Sequence, residues 1–326
     1  MTATDPTTST TPVATPAPEA IAGDGGIRSY HGQPVLKEPV WSWEIPCYFY
    51  TGGLTGASSG LAFLAELRGN DLLARRAWAA AMMGGVASPL LLISDLGKPE
   101  RFLNMLRMFK VTSPMSVGSW ILLVSGGAST TAAVLELLGV LKPVKRAAEL
   151  VSFVTGPPLA TYTGALVANT AIPVWSEARD ELPWLFGASA VASAGAAAAM
   201  VTPAASAGPA RRAALAGVAV ELGLMQAMER RLGFVGEVYR KGQAGKLKKL
   251  SKACTIAGGV LLAARGRRSR SGTITGATLV LAGELALRWS VFRAGFQSAR
   301  DPRYTVIPQK EQLAKRGGDA LRDQRV

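Results

Sequence analysis

The sequence predicts an all-α membrane protein of eight transmembrane helices, and three observations predict it. Of the 326 residues, 48% are apolar and only 18% charged, below the quarter typical of soluble domains. Charge is expelled from eight blocks, at 44–66, 77–96, 115–138, 148–172, 184–205, 213–228, 253–264 and 271–292. Those blocks hold 8 charged side chains (Glu44, Glu66, Asp95, Glu136, Glu149, Glu221, Glu284 and Arg288), and the rest of the chain holds 50. A soluble protein spreads charge along every amphipathic helix, so this distribution excludes an ordinary cytosolic globule. Finally, most blocks run 20–25 residues, enough at about 1.5 Å per residue to cross a hydrocarbon layer of ~30 Å. They lack the polar–apolar alternation that a membrane β-barrel needs.

Residues 1–40 read as an N-terminal tail. The first 26 are Thr/Pro/Ala-rich and cannot bury enough surface to offset ordering entropy, so they are expected to be disordered. They lack the basic start and apolar core of a signal peptide. The transmembrane domain is expected over 41–295. Its first span opens on an aromatic cluster, Trp41, Trp43, Tyr48 and Tyr50, and continues into GGLTGASSG at 52–60. Spans two and five are equally rich in small residues, with MMGGVAS at 82–88 and GASAVASAGAAAA at 187–199. Such residues let helix backbones approach closely in lipid. Span four contains Gly156-Pro157-Pro158, which could break its helix. Spans six and seven are the shortest, at 16 and 12 clean residues. Their flanking Arg211, Arg212, Lys248, Lys249 and Lys252 are expected to snorkel and extend them. Trp175 and Trp184 around the 173–183 loop, and Trp289 in span eight, read as headgroup-level anchors. A basic tail follows from 296 to 326.

Eight spans put both termini on one side. Loops and tails on that side carry 19 Lys and Arg against 12 on the other. The excess predicts cytoplasmic termini in the plasma membrane. The net charge of +14 is explained by topology and anionic headgroups rather than by nucleic acid. Cys47 and Cys254 stand alone without a C-x-x-C pair, so no iron–sulfur cluster is expected in this chain. The single histidine, His31, excludes a bis-histidine haem and a His-rich metal site and reads as a solvated loop residue.

Ionisable groups inside spans are the candidates for chemistry. Glu284 and Arg288 stand four residues apart, acid first, and can neutralise each other on one helix face. Glu221 lies in mid-span six with no local partner. It either carries a proton or faces water in a proton path. Between spans two and three runs SDLGKPERFLNMLRMFKVTSPMSVGSW, residues 94–120. There Gly97 and Pro99 make a tight exit, and 101–110 forms a short amphipathic piece fit for the interface.

DLGKPERF followed by SPMSVGSW resembles the signature of the NrfD-like polysulfide reductase membrane-subunit family. WSWEIPCYFYTGGLTGASSGL (41–61) is similar to that family's first span. TYTGALVANTAIPVWSEARDELPWLFGASAVASAG (161–195) is similar to its fourth and fifth. The resemblance implies eight helices in two four-helix bundles and a quinone-binding membrane anchor of a multi-subunit oxidoreductase. The partners it implies are an iron–sulfur, ferredoxin-like subunit and a molybdopterin catalytic subunit. With cytoplasmic termini, a formate dehydrogenase-like module is the expected example. The substrate is menaquinone or ubiquinone, with no catalytic residue in this chain acting alone.

By motif, the quinone positions fall on Glu44 and Tyr48 in span one and Tyr162 in span four; a tyrosine can donate a hydrogen bond to a quinone carbonyl. Span arithmetic places Glu44, Tyr48, Tyr162 and the 97–114 loop toward the face that carries both termini. Asp95, Lys98 and Arg101 then either orient the loop, grip the iron–sulfur partner or close the helix with a salt cluster. The competing classes are a secondary transporter, marked by broken helices around a midplane site, and a structural anchor without a working pocket.

Overall fold

The computed structural model describes residues 35–311 except 267. The expected disordered lead-in, His31 and the final stretch of the basic tail lie outside the described residues. Among the described residues no strand occurs. Eight helices of 20 residues or more carry the fold: α1 (Glu44–Leu67), α2 (Asp71–Asp95), α4 (Pro114–Leu138), α5 (Lys142–Ala168), α7 (Leu182–Val201), α8 (Gly208–Leu232), α9 (Gly242–Arg265) and α10 (Arg270–Arg300). Two short helices, α3 (Arg101–Leu106) and α6 (Pro173–Glu177), lie in the connections, and a 3-10 turn covers Val235–Arg240.

Local chemistry sets the helix ends. Asn70 accepts the Leu73 N–H with its side chain and starts α2. Ser113 does the same for Ser116 ahead of Pro114, the first residue of α4. Gly139, at φ 68°, ends α4 in the left-handed conformation that glycine adopts without a Cβ clash. α5 runs unbroken through Pro157 and Pro158, so the helix break considered at 156–158 does not form.

Five helices (α2, α4, α5, α7 and α10) are long and apolar enough to cross a membrane. The chain is a multi-pass, all-helical membrane protein. α1, α2, α4 and α5 pack on one another, as do α7, α8, α9 and α10, and α1 and α5 also meet α7. Small residues permit this closeness. A Cβ on Gly156 would come within 2.7 Å of Ser59 Oγ on α1, and one on Gly258 of α9 within 2.6 Å of the Gly276 carbonyl of α10.

Inter-helix bonds define two ends of the assembly. At one end, Arg300 forks onto Glu38 at 2.7 and 2.9 Å, and Ser42 bonds Asp95. Arg231 pairs with Glu181 at the same end, and Gln297 accepts the Ala244 N–H. At the other end, Asn70 donates to the Ser206 carbonyl at 2.9 Å, Arg270 to that of Thr202 at 3.0 Å and Lys145 to Glu66 at 3.0 Å.

Three expectations need correcting. Trp175 is no headgroup anchor: it is fully buried, its Nε1 donates to the Val291 carbonyl at 2.8 Å, and Trp41 stacks on it at 5.5 Å. Trp184, at 67% exposure, lies on the surface, as does Trp43 at 58%. Arg211 does not snorkel. It is buried and donates to the Gly266 carbonyl at 2.9 Å, closing the carbonyl end of α9. Lys248 likewise turns inward onto Glu229 at 2.8 Å. The basic tail also starts later than 296, because α10 continues to Arg300 with Ala299 buried.

Candidate functional site

The start of α1 gathers most of the polar groups singled out above. Glu44 is the first residue of the helix and half-buried. The Ser42 hydroxyl contacts both a Glu44 carboxyl oxygen and Asp95 Oδ1. The Ser42 backbone N–H also donates to Asp95 Oδ1 at 3.3 Å. Asp95, the last residue of α2, is thereby tied to the lead into α1 rather than to its own loop. Lys98 and Arg101 are exposed and, among the described residues, make no ion pair, so the salt cluster with Asp95 does not form. No cation within ion-pair distance meets either Glu44 or Asp95 among the described residues.

Tyr48 lies one turn into α1, on the same helix face as Glu44. It is buried, and its ring packs by Gly52, with Leu159 of α5 and Ser88 of α2 close by. Tyr162 of α5 is half-buried. Its phenol occupies the space that a side chain at Gly118 of α4 would fill. That glycine belongs to the SPMSVGSW motif. Neither phenol is hydrogen-bonded to a protein group among the described residues. Leu122 and Leu159 supply an apolar wall beside them.

Glu221 is elsewhere, midway along α8, 2% exposed and without a partner for Oε2. Glu284 and Arg288 are both buried, yet they do not form the expected four-apart pair. Arg288 Nη2 donates to the Phe186 carbonyl at 2.8 Å, and its guanidinium lies 3.8 Å from the centre of the Phe186 ring. A tertiary partner on α7 outcompetes the local one.

The opposite end of α1, α4 and α5 holds a different cluster. Lys145 Nζ stands 3.0 Å from Glu66, 2.5 Å from Glu136 and 3.2 Å from Glu149. Arg146 adds a contact to Glu149 at 3.3 Å. A vestibule of about 450 Å³ opens beside them. A larger groove of about 580 Å³ between α1, α5, α7 and α8 is almost wholly apolar.

Ser42 escaped the sequence reading. A lone serine between two tryptophans carries no motif, and its role depends on Asp95 being brought 53 positions back to it.

The fold and these groups define a polytopic helical membrane subunit with polar side chains at one end. The family model described as polysulphide reductase, NrfD, matches residues 30–236, and the chain belongs to that family. Membership makes it a membrane subunit of the polysulfide reductase-like class. No curated protein matches the chain.

Proposed function

We propose that this chain is the quinone-reactive membrane subunit of an oxidoreductase complex, with eight spans in two four-helix bundles. It exchanges electrons between menaquinone or ubiquinone and an iron–sulfur, ferredoxin-like partner, behind which a molybdopterin subunit acts. The termini and the partner are cytoplasmic, as in a formate dehydrogenase-like module. The observation that carries the reading is the Ser42 bridge between Glu44 and Asp95, one helical turn from a tyrosine with an unused hydroxyl.

The residues fit a quinone. Tyr48 and Tyr162 would hold its carbonyl oxygens by donated hydrogen bonds, and the leucines beside them suit its ring. The quinone supplies the two-electron, two-proton chemistry. A serine hydroxyl both donates and accepts, so Ser42 can relay a proton between Asp95 and Glu44. Glu44 is placed to hand that proton inward toward Tyr48. Lys98 and Arg101, exposed and unpaired on the adjoining connection, are suited to an acidic partner surface. Glu221 is a separate proton-path candidate, remote from these groups along the chain.

The test is quinol-dependent electron transfer in the intact complex. Glu44→Gln and Tyr162→Phe should each slow it without loss of the co-purifying subunits. Full activity in both variants makes the chain a structural anchor. Cysteines engineered into the C-terminal tail should resist labelling from outside intact cells; a labelled tail reverses the orientation.

A further inference from the structure

We propose that Glu221 and Glu284 form a membrane-buried carboxyl pair that binds one exchangeable proton, reached from one face through a cleft between α8 and α9, with Arg288 as its fixed countercharge. The site is independent of the quinone reading.

Depth comes first. Glu221 is 11 residues from the end of α8 at Leu232, about 16 Å along the axis; on the eight-span reading proposed above, this is near the middle of a ~30 Å hydrocarbon layer. Glu284 is completely buried, and neither of its carboxyl oxygens has a hydrogen-bond partner among the described residues. The Glu221 Oε2 is in the same condition. The two carboxyls face each other. Arg288 keeps Nε and Nη1 unpartnered and spends Nη2 on the Phe186 carbonyl. Buried polar atoms left unmatched in this way are costly and call for a mobile ligand.

Charge sets its number. The groups around the pair are Arg288 on α10, Tyr50 on α1 and Ser189 on α7, while Ser251, Glu229, Lys248 and Lys252 share the cleft with Glu221. Arg288 is the permanent charge beside the two carboxyls themselves; in the cleft Glu229 and Lys248 neutralise each other. Two ionised carboxyls would leave a net negative charge at the core of the membrane, and two protonated ones a net positive charge. One proton on the pair makes the site neutral.

Access comes last. A cleft of about 60 Å³ is lined by Glu221, Gln226, Glu229, Lys248, Ser251 and Lys252, among others. It has room for about two waters. The Glu229–Lys248 pair at 2.8 Å lines it on the side of the end where α8 turns toward α9. Protonation forms an O–H bond on one carboxylate, with the proton drawn from water at that face. No electron moves.

The test uses the full chain in lipid nanodiscs. Infrared difference spectra between acid and alkaline buffer should contain the carbonyl stretch of a buried carboxylic acid, displaced in heavy water. Glu284→Gln and Glu221→Gln should each remove or shift that band, while Glu66→Gln leaves it. No such band, or one untouched by both α8 and α10 variants, overturns the proposal. Should a variant fail to fold, dicyclohexylcarbodiimide on the unaltered chain decides. Peptide mapping should find adducts on Glu221 or Glu284 that decline as pH rises. Adducts on neither residue overturn it.

Discussion

The two ends of the first four long helices both carry carboxylates, and they treat them oppositely. At the far end, Glu66, Glu136 and Glu149 converge on Lys145, and Arg146 closes the group. At the near end, Glu44 and Asp95 meet a serine hydroxyl and no cation. A carboxylate matched by a cation is held in place and holds its neighbours. One matched by a hydroxyl that can reverse its direction is free to exchange a proton. The first arrangement closes a structure, whereas the second keeps a reaction available. Family membership says nothing about which end is which; the proposal assigns the reactive role to the near end from the partners of each carboxylate.

Removing the cation is the harshest way to break that contrast. Lys145→Met leaves three acids with only Arg146 and the more distant Arg75 at their edge, and Glu149 at 0% exposure. Breaking a fully buried pair from one side costs about 3–5 kcal/mol; Lys145 is half-buried, at 18%, so the low end of that range applies. Thermal melting in detergent should show a loss of about 3 kcal/mol, and quinol turnover per folded molecule should be unaffected. A variant as stable as the parent would show that the cluster is only a solvated rim.

The near end should respond in the reverse sense. Glu44→Gln keeps the shape and removes the proton carrier, so turnover should fall about 10²-fold, the usual worth of a positioned acid or base. Ser42→Ala should lose a similar order through the broken relay. Melting should move by no more than about 1 kcal/mol in either, the net value of one hydrogen bond. A large stability loss with normal turnover would make this end structural as well.

Tyr162→Phe sharpens the comparison further, because it removes a hydrogen-bond donor without touching a charge. About 1 kcal/mol of lost binding corresponds to roughly a fivefold rise in quinol KM, with kcat changed less. Gly118→Ala should have the same or a greater effect, since its methyl group would enter the space held by the Tyr162 phenol.

Much of this was legible in the sequence, and what was not has a physical cause. Each charge-poor block falls on one of the long helices, because the absence of charge along a helix is a composition property. Boundaries failed where helices carry charge at their ends. α2 starts at Asp71 rather than 77 and takes in Arg75 and Arg76, and α9 starts at Gly242 with four lysines in its first half. Glu44 and Asp95 were found singly, but not their meeting through Ser42. The Glu284–Arg288 spacing was read correctly as one helix face and wrongly as a pair, since the Phe186 carbonyl that captures Arg288 comes from α7. Trp175 was misplaced for the same reason: its partner Val291 is 116 positions away.

The mildest prediction concerns the strap that leads into the near end. Arg300 beside Glu38 holds that carboxyl below its ordinary value, chiefly through the hydrogen bond between them. A depressed carboxyl contributes its tie above the unfolded pKa and loses it as pH falls through the folded one. The segment before Ser42 should therefore stay anchored from neutral pH down to the ordinary glutamate range near 4.3 and loosen only below it. Limited proteolysis between 35 and 43 reads this directly. Arg300→Gln should speed cleavage of the segment modestly and remove its pH dependence, while turnover changes less than twofold, because an exposed ion pair is worth little. If turnover instead collapses with the strap, the Ser42 bridge depends on Arg300, and the near end is held by a cation after all, one step removed.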